Sequence, residues 1–137
     1  MFRRILVPVD FTKKNVRAVR IAAKVGVPRK AQVTLLHVIE RVDAGEPAAL
    51  SGFYKTLEVS ARRKMKGLLA SLGGVPVKAE IRYGNRVVEI LRCVSEKKID
   101  LVVMSSHRLA LRRAGENWGT ISYKVGILSR CPVLLVK

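Results

Sequence analysis

The chain is short of acids. Across 137 residues, 10 Asp and Glu stand against 27 Lys and Arg, a formal net charge of +17. That imbalance favours polyanionic partners (nucleotides, nucleic acid or anionic surfaces) and by itself carries no specificity. Cysteine is also scarce. Cys93 and Cys131 are too few and too far apart for a metal knuckle or a redox pair, which leaves them as small buried hydrophobes. Aromatic residues make up 5% of the chain, with one tryptophan, Trp118, so platforms for stacking unpaired bases are few. No apolar run reaches the roughly 18 residues of a membrane span. The opening stretch, Met1 to Asp10, is no secretory leader: its apolar part is short, has no small-residue cleavage site and stops at an acid. A cytoplasmic protein is the expectation. Gln32 is the single glutamine, and Asn15, Asn85 and Asn117 are the only asparagines, a scarcity of heat-labile amides that suits a thermophilic source. Nucleophile elbow, Walker loop, HExxH and paired carboxylates are all missing, so an ordinary enzyme is the least supported class. No helix-turn-helix is visible either.

What is present is an apolar half, 49% of residues, enough for one domain over 1–137 with a sizeable core. Arg3 to Val9 reads as a first strand, with Pro8 near its end where a missing donor is tolerated. Thr12 is placed to cap the following helix. There Ala18, Ala22 and Val25 form an apolar stripe opposite Lys13, Arg17, Arg20 and Lys24, and Gly26 with Pro28 ends it. Ala31 to Ile39 is a second strand. His37 lies within it, and with no partner cluster it reads as a structural histidine. Residues 41 to 47, with Gly45 and Pro47, turn the chain. Leu50, Tyr54, Leu57, Ala61, Met65, Leu68 and Leu72 then step by three and four, the strongest helical pattern present. The basic run Arg62 to Lys66 on this helix reads as a solvated outer face rather than a nucleic-acid element.

Gly73-Gly74 breaks that helix. Val75, Val77, Ala79 and Ile81 alternate with polar residues, as on a sheet edge. Tyr83-Gly84-Asn85 turns the chain, Asn85 caps a third helix, and Val87, Ile90, Leu91 and Val94 face inward. A fourth strand begins near Ile99 as a nearly continuous apolar run, the mark of burial on both faces. Ile121, Val125 and Leu128 mark a fourth helix, and Val133 to Val136 a fifth strand. Strands alternating with helices predict an α/β fold: an open, mostly parallel five-stranded sheet with helices on both faces. The uncharged last strand is an edge suited to pairing with a second copy, so a homodimer through Val133–Val136 is expected.

One stretch stands apart. Fourteen residues without a clear period separate Met104 from Gly119, and they carry Arg108, Arg112 and Arg113 against Glu116 alone. Loops of that length in compact domains are uncommon unless functional or disordered. A basic loop from a buried strand to a helix N-terminus suits an anion; a solvated surface loop is the plain alternative. In parallel sheets ligands sit beyond the carboxyl ends of strands where the strand order reverses. If strands one and four are neighbours there, Asp10 and the 105–120 loop face each other.

The chain resembles the universal stress protein family over essentially its whole length. The resemblance rests on Ile5-Leu6-Val7-Pro8-Val9-Asp10, Leu35-Leu36-His37-Val38, Ile99-Asp100-Leu101-Val102-Val103-Met104, Gly119-Thr120 and Cys131-Pro132-Val133-Leu134-Leu135-Val136 in this order. It implies a Rossmann-like sheet of strand order 3-2-1-4-5, a dimer through the last strand and, in one branch, ATP binding. Pro8, Val9, Val38 and Met104 match positions around the adenosine part. Asp10 matches the aspartate at the nucleotide that can help hold Mg²⁺ on the phosphates. Gly119, Thr120 and Ile121 match the phosphate-facing helix start. The ATP-binding branch carries Gly, two residues, Gly, nine residues, then Gly with Ser or Thr, because glycines let backbone amides approach phosphate. Here Ser105 and Arg108 replace the first two glycines, and ten residues, 109 to 118, separate Arg108 from Gly119. Arg108 either fills the phosphate space or grips a phosphate as a bidentate fork. His107 matches a position often histidine in the family, with no catalytic role implied. The leading expectation is a stress-response or signalling protein that binds an adenine nucleotide. The alternatives are a dimeric scaffold without nucleotide, or a basic protein binding nucleic acid non-specifically.

Overall fold

The three apolar residues at the middle of the first strand, Ile5, Leu6 and Val7, are all fully buried, which is what a strand covered on both faces requires. The computed structural model describes residues 1–28, 30–41, 50–106 and 120–137. Along them run β1 (Arg4–Pro8), α1 (Lys14–Val25), β2 (Gln32–Glu40), α2 (Ser51–Ala70), β3 (Val77–Gly84), α3 (Arg86–Glu96), β4 (Leu101–Ser105), α4 (Ile121–Leu128) and β5 (Val133–Val136). The sheet is five-stranded and parallel throughout, in the order β3-β2-β1-β4-β5.

The two-residue period of the strands sorts the core into two layers. Ile5, Val7, Val33, Leu35, Leu101 and Val103 point to one side, where Ala18, Val19 and Ala22 of α1 and Met65 and Leu68 of α2 meet them. Leu6, Leu36, Val38, Val102 and Met104 point to the other, against Ile90, Cys93 and Val94 of α3 and Val125 of α4. Thus α1 and α2 cover one face and α3 and α4 the other. The central pair is tied at its amino ends by Asp100. Its carboxylate accepts the backbone N–H groups of Arg3 (2.9 Å) and Arg4 (3.1 Å), and its own N–H donates to the Arg4 carbonyl at 2.8 Å.

Several local expectations are corrected. Thr12 does not cap α1. The N-cap is Lys13, without a side-chain bond, because the Thr12 hydroxyl donates instead to Asp10 Oδ1 at 2.7 Å. Val25 and Leu128, the last residues of α1 and α4, are exposed, because each lies where its helix leaves the sheet. Leu50 and Leu57 are exposed as well. Only Tyr54 and Ala61 of this half of α2 are buried, in a small cluster with Ile39. β3 begins at Val77 rather than Val75, and β4 at Leu101, after Ile99 donates its N–H back to the Val94 carbonyl. Cys93 is buried, but Cys131 is only partly covered and lies 3.4 Å from the Ser129 hydroxyl. Gly26 ends α1 for a packing reason: a Cβ there would fall 2.4 Å from the Ala31 Cβ. α2 ends at Ala70, capped by Ser71, ahead of Gly73 and Gly74, which turn the chain with positive φ angles of 59° and 86° that glycine adopts at little cost. The expected turn at 41–47 lies outside the described residues beyond Arg41. No described helix is long and apolar enough to cross a membrane.

Candidate functional site

The order of the sheet reverses between β1 and β4, which pair in parallel through Ile5–Leu101 and Leu6–Val102. At such a point the connections leave in opposite directions and a crevice opens beyond the carboxyl ends. A cavity of about 200 Å³ lies there. Its walls come from the end of β1 (Pro8, Val9, Asp10), from β2 (Leu36, His37, Val38) and from β4 (Met104, Ser105). Asn15 of α1, Arg86 and Ile90 of α3, and Thr120, Ile121 and Ser122 at the start of α4 complete it.

The chain turns sharply after β1 because three polar groups hold it. Asp10 Oδ1 accepts both the N–H (3.0 Å) and the hydroxyl (2.7 Å) of Thr12, a local turn that aspartate forms readily. Phe11 takes a φ of 66°, which costs a side-chain-bearing residue roughly 1–2 kcal/mol. That strain is held by Asn15, only 1% exposed. Asn15 Oδ1 accepts the N–H groups of Asp10 (3.0 Å) and Phe11 (2.7 Å), and its Nδ2 donates to Ser105 Oγ at 3.2 Å. One buried amide therefore joins the ends of β1 and β4 across the crevice. Lys14 Nζ adds a second link, donating to the Ser106 carbonyl at 3.3 Å.

His37 lies 2.9 Å, through Nδ1, from the Val9 carbonyl. A carbonyl can only accept, so Nδ1 carries the proton and Nε2 is the acceptor of the neutral ring. The ring packs against Phe11, with centroids 4.3 Å apart. Burial pushes the His37 pKa below its ordinary 6.5, and the positive charges of Arg86 and Lys64 push the same way. The bond to Val9 and the Asp10 charge oppose them. Arg86 opens α3 beside the N-cap Asn85, whose side chain accepts the Val88 N–H at 3.1 Å, and it pairs loosely with Glu40 at 3.6 Å. Thr120 caps α4, its hydroxyl accepting the Tyr123 N–H at 3.4 Å. Two helix amino termini and their partial positive charge thus border one cavity that also holds the Asp10 carboxylate.

Eight residues singled out from the sequence, Pro8, Val9, Asp10, Val38, Met104, Ser105, Thr120 and Ile121, line this one cavity. Arg108 and Gly119 lie outside the described residues, as do His107, Arg112, Arg113, Glu116 and Trp118. Sequence reasoning missed Asn15, Leu36, Arg86, Ile90 and Ser122, and it gave His37 only a structural part. Two signals were available. Asn15 interrupts the apolar stripe of α1 with an amide, and Arg86 places a cation in a first helical turn, against the macrodipole. Among the described residues no group of three or more His, Cys, Asp or Glu could hold a metal ion by itself. Asp10 is the carboxylate of the cavity wall. A single carboxylate is enough for Mg²⁺ when phosphate oxygens and water fill the remaining positions.

Comparison with known proteins agrees with this architecture. The model of the universal stress protein family matches residues 1–137. Universal stress protein YxiE of Bacillus subtilis is 27% identical over the full length of both chains. A universal stress protein solved in complex with cAMP superposes with a TM-score of 0.72 at 21% identity, covering 99% of this chain and 97% of that one. One from Archaeoglobus fulgidus, in complex with dAMP, superposes at 0.71 and 16% identity, covering 99% and 98%. These two share the fold. Matched from its first residue to its last, with the strand order the family implies, the chain belongs to the universal stress protein family.

Proposed function

We propose that this protein binds an adenine nucleotide in the cavity between the carboxyl ends of β1 and β4, and acts in stress response or signalling through that bound state. One observation carries the reading: residues from the two separated segments Pro8–Asp10 and Met104–Ser105, with the capped start of α4, line a single cavity. Pro8, Val9, Val38 and Met104 supply apolar surface for a base and sugar. Thr120, Ile121 and Ser122 bring backbone N–H groups at a helix start, the usual seat of a phosphate. Arg108 and Gly119 belong to the same set on the sequence pattern. Asp10 would hold Mg²⁺ together with the phosphates, where the ion would neutralise their charge. That two relatives of the same fold carry cAMP and dAMP supports an adenine ligand.

Calorimetry with ATP, ADP, AMP and cAMP, with and without Mg²⁺, tests the proposal. Heat of binding is expected with at least one of them, and Asp10→Ala should remove any Mg²⁺ dependence. Absence of heat with all four, and of any nucleotide released from the purified protein on denaturation, would end the nucleotide reading. A second reading concerns assembly. Leu134 and Leu135 on the edge strand β5 are 39% and 42% exposed, and an apolar edge of this kind suits pairing with a second copy.

A further inference from the structure

We propose that the outer surface of the α1–α2 layer docks the phosphate backbone of double-stranded nucleic acid. The positive charge of the helices is divided very unevenly between the two faces of the sheet. Within α1 and α2 there are nine basic residues and one acid, Glu58. Within α3 and α4 there are three basic residues and two acids, Glu89 and Glu96. All nine side chains of the first layer are exposed, and Glu58 is occupied by Arg62 at 2.9 Å and by the Tyr83 hydroxyl at 3.0 Å.

Either stripe alone is an ordinary solvated helix face. Together they form something else, because α1 and α2 pack side by side on one core layer. Arg17, Arg20 and Lys24 run along one helix, and Arg62, Arg63 and Lys66 along the other. At about 1.5 Å per residue the first row is roughly 10 Å long and the second roughly 6 Å, and neighbouring helices sit about 10 Å apart. A duplex carries a charge about every 1.7 Å of its axis, so the longer row spans about six phosphates. Four of the six cations are arginines, whose planar forks match phosphate oxygens. The partner is a duplex rather than an unpaired strand, because no row of aromatic side chains for stacking bases lies on either helix. It is a nucleic acid rather than a lipid surface, because the apolar side of α1 is spent on the core, and the most exposed apolar side chains of α2, Phe53 and Val59, are six residues apart and so lie about 120° apart around the helix, not on one insertable face.

The test is fluorescence anisotropy with a labelled random-sequence duplex, between about 50 and about 200 mM salt. Four phosphate contacts would cost about 150-fold in affinity over that range. The double variant Arg20→Glu, Arg63→Glu should weaken binding at least roughly tenfold at the lower salt. The matched variant Lys124→Glu, Arg130→Glu, on the opposite side, should change it less than about twofold. None of these four residues lines the cavity, so nucleotide calorimetry on both variants reads the other proposal separately. Thermal melts check that both remain folded. No binding at low salt, an equal loss in both variants, or binding only to vesicles of phosphatidylserine and phosphatidylcholine would each overturn the proposal.

Discussion

Replacing Asn15 with alanine should unfold the corner on which the cavity is built. The substitution leaves the Asp10 and Phe11 N–H groups, now held at 3.0 and 2.7 Å, without their acceptor. A buried donor stripped of its partner costs about 1–3 kcal/mol. Both groups are only partly buried, so water recovers some of that loss. We therefore take the lower part of the range for each, about 2–3 kcal/mol in all. Ser105 Oγ also loses its donor, but a hydroxyl at a cavity wall can turn to water. For a chain near this size, each kcal/mol lowers the melting temperature by about 2–4 °C, giving a fall of roughly 5–10 °C. Urea denaturation and thermal melts measure both quantities, and Ser105→Ala, which strips only the Asn15 Nδ2 group of its acceptor, should cost less, about 1 kcal/mol. Phe11, released from its positive φ, would swing Asp10 away, so nucleotide affinity should fall further than stability alone accounts for. A cost below about 0.5 kcal/mol for Asn15→Ala, within the scatter of ordinary surface changes, would refute the idea that this amide holds the turn.

Two further outcomes follow from the same structure. The folded-state pKa of His37 lies below the unfolded 6.5, so the unfolded chain takes up its proton first. Stability from this residue is present above pH 6.5 and declines as pH falls from there toward the folded pKa. His37→Gln should flatten urea stability across that acidic window, and an unchanged slope would contradict the assignment. On the opposite edge, Leu135→Lys places a charge on the exposed side of β5. It should shift the protein from dimer to monomer in sedimentation, whereas a wild-type protein already monomeric at micromolar concentration would remove the pairing through β5.

The strands were legible because burial on both faces leaves an unmistakable apolar run, as in Leu101 to Met104. The cap at Asn85 was legible because its partner lies three residues on. Thr12 misled for the converse reason: its hydroxyl turns to donate to the Asp10 carboxylate rather than to accept from a helix N–H group. Val25 and Leu128 kept the period of a helix at its last position, where the side chain is exposed. Most of the cavity was found because the family pattern and the switch-point rule both point to the ends of β1 and β4. Asn15 escaped because one of its partners, Ser105, is 90 residues away. No local pattern can announce a bond of that range.

The two innermost strands are fastened at both extremities. At one, Asp100 accepts the N–H groups of Arg3 and Arg4 at the start of β1; at the other, Asn15 reaches Ser105, while the Ser106 N–H ties β4 to β5 through the Val136 carbonyl at 2.8 Å. The ladder therefore has no freedom to slip in register, and the separation of Asp10 from Ser105 does not depend on how many residues follow Ser106. An added residue between that anchor and Thr120 costs less than about 0.1 kcal/mol in closure entropy. Evolution is accordingly free to lengthen, shorten or recharge this one span while the carboxylate and the helix start that flank it keep their places.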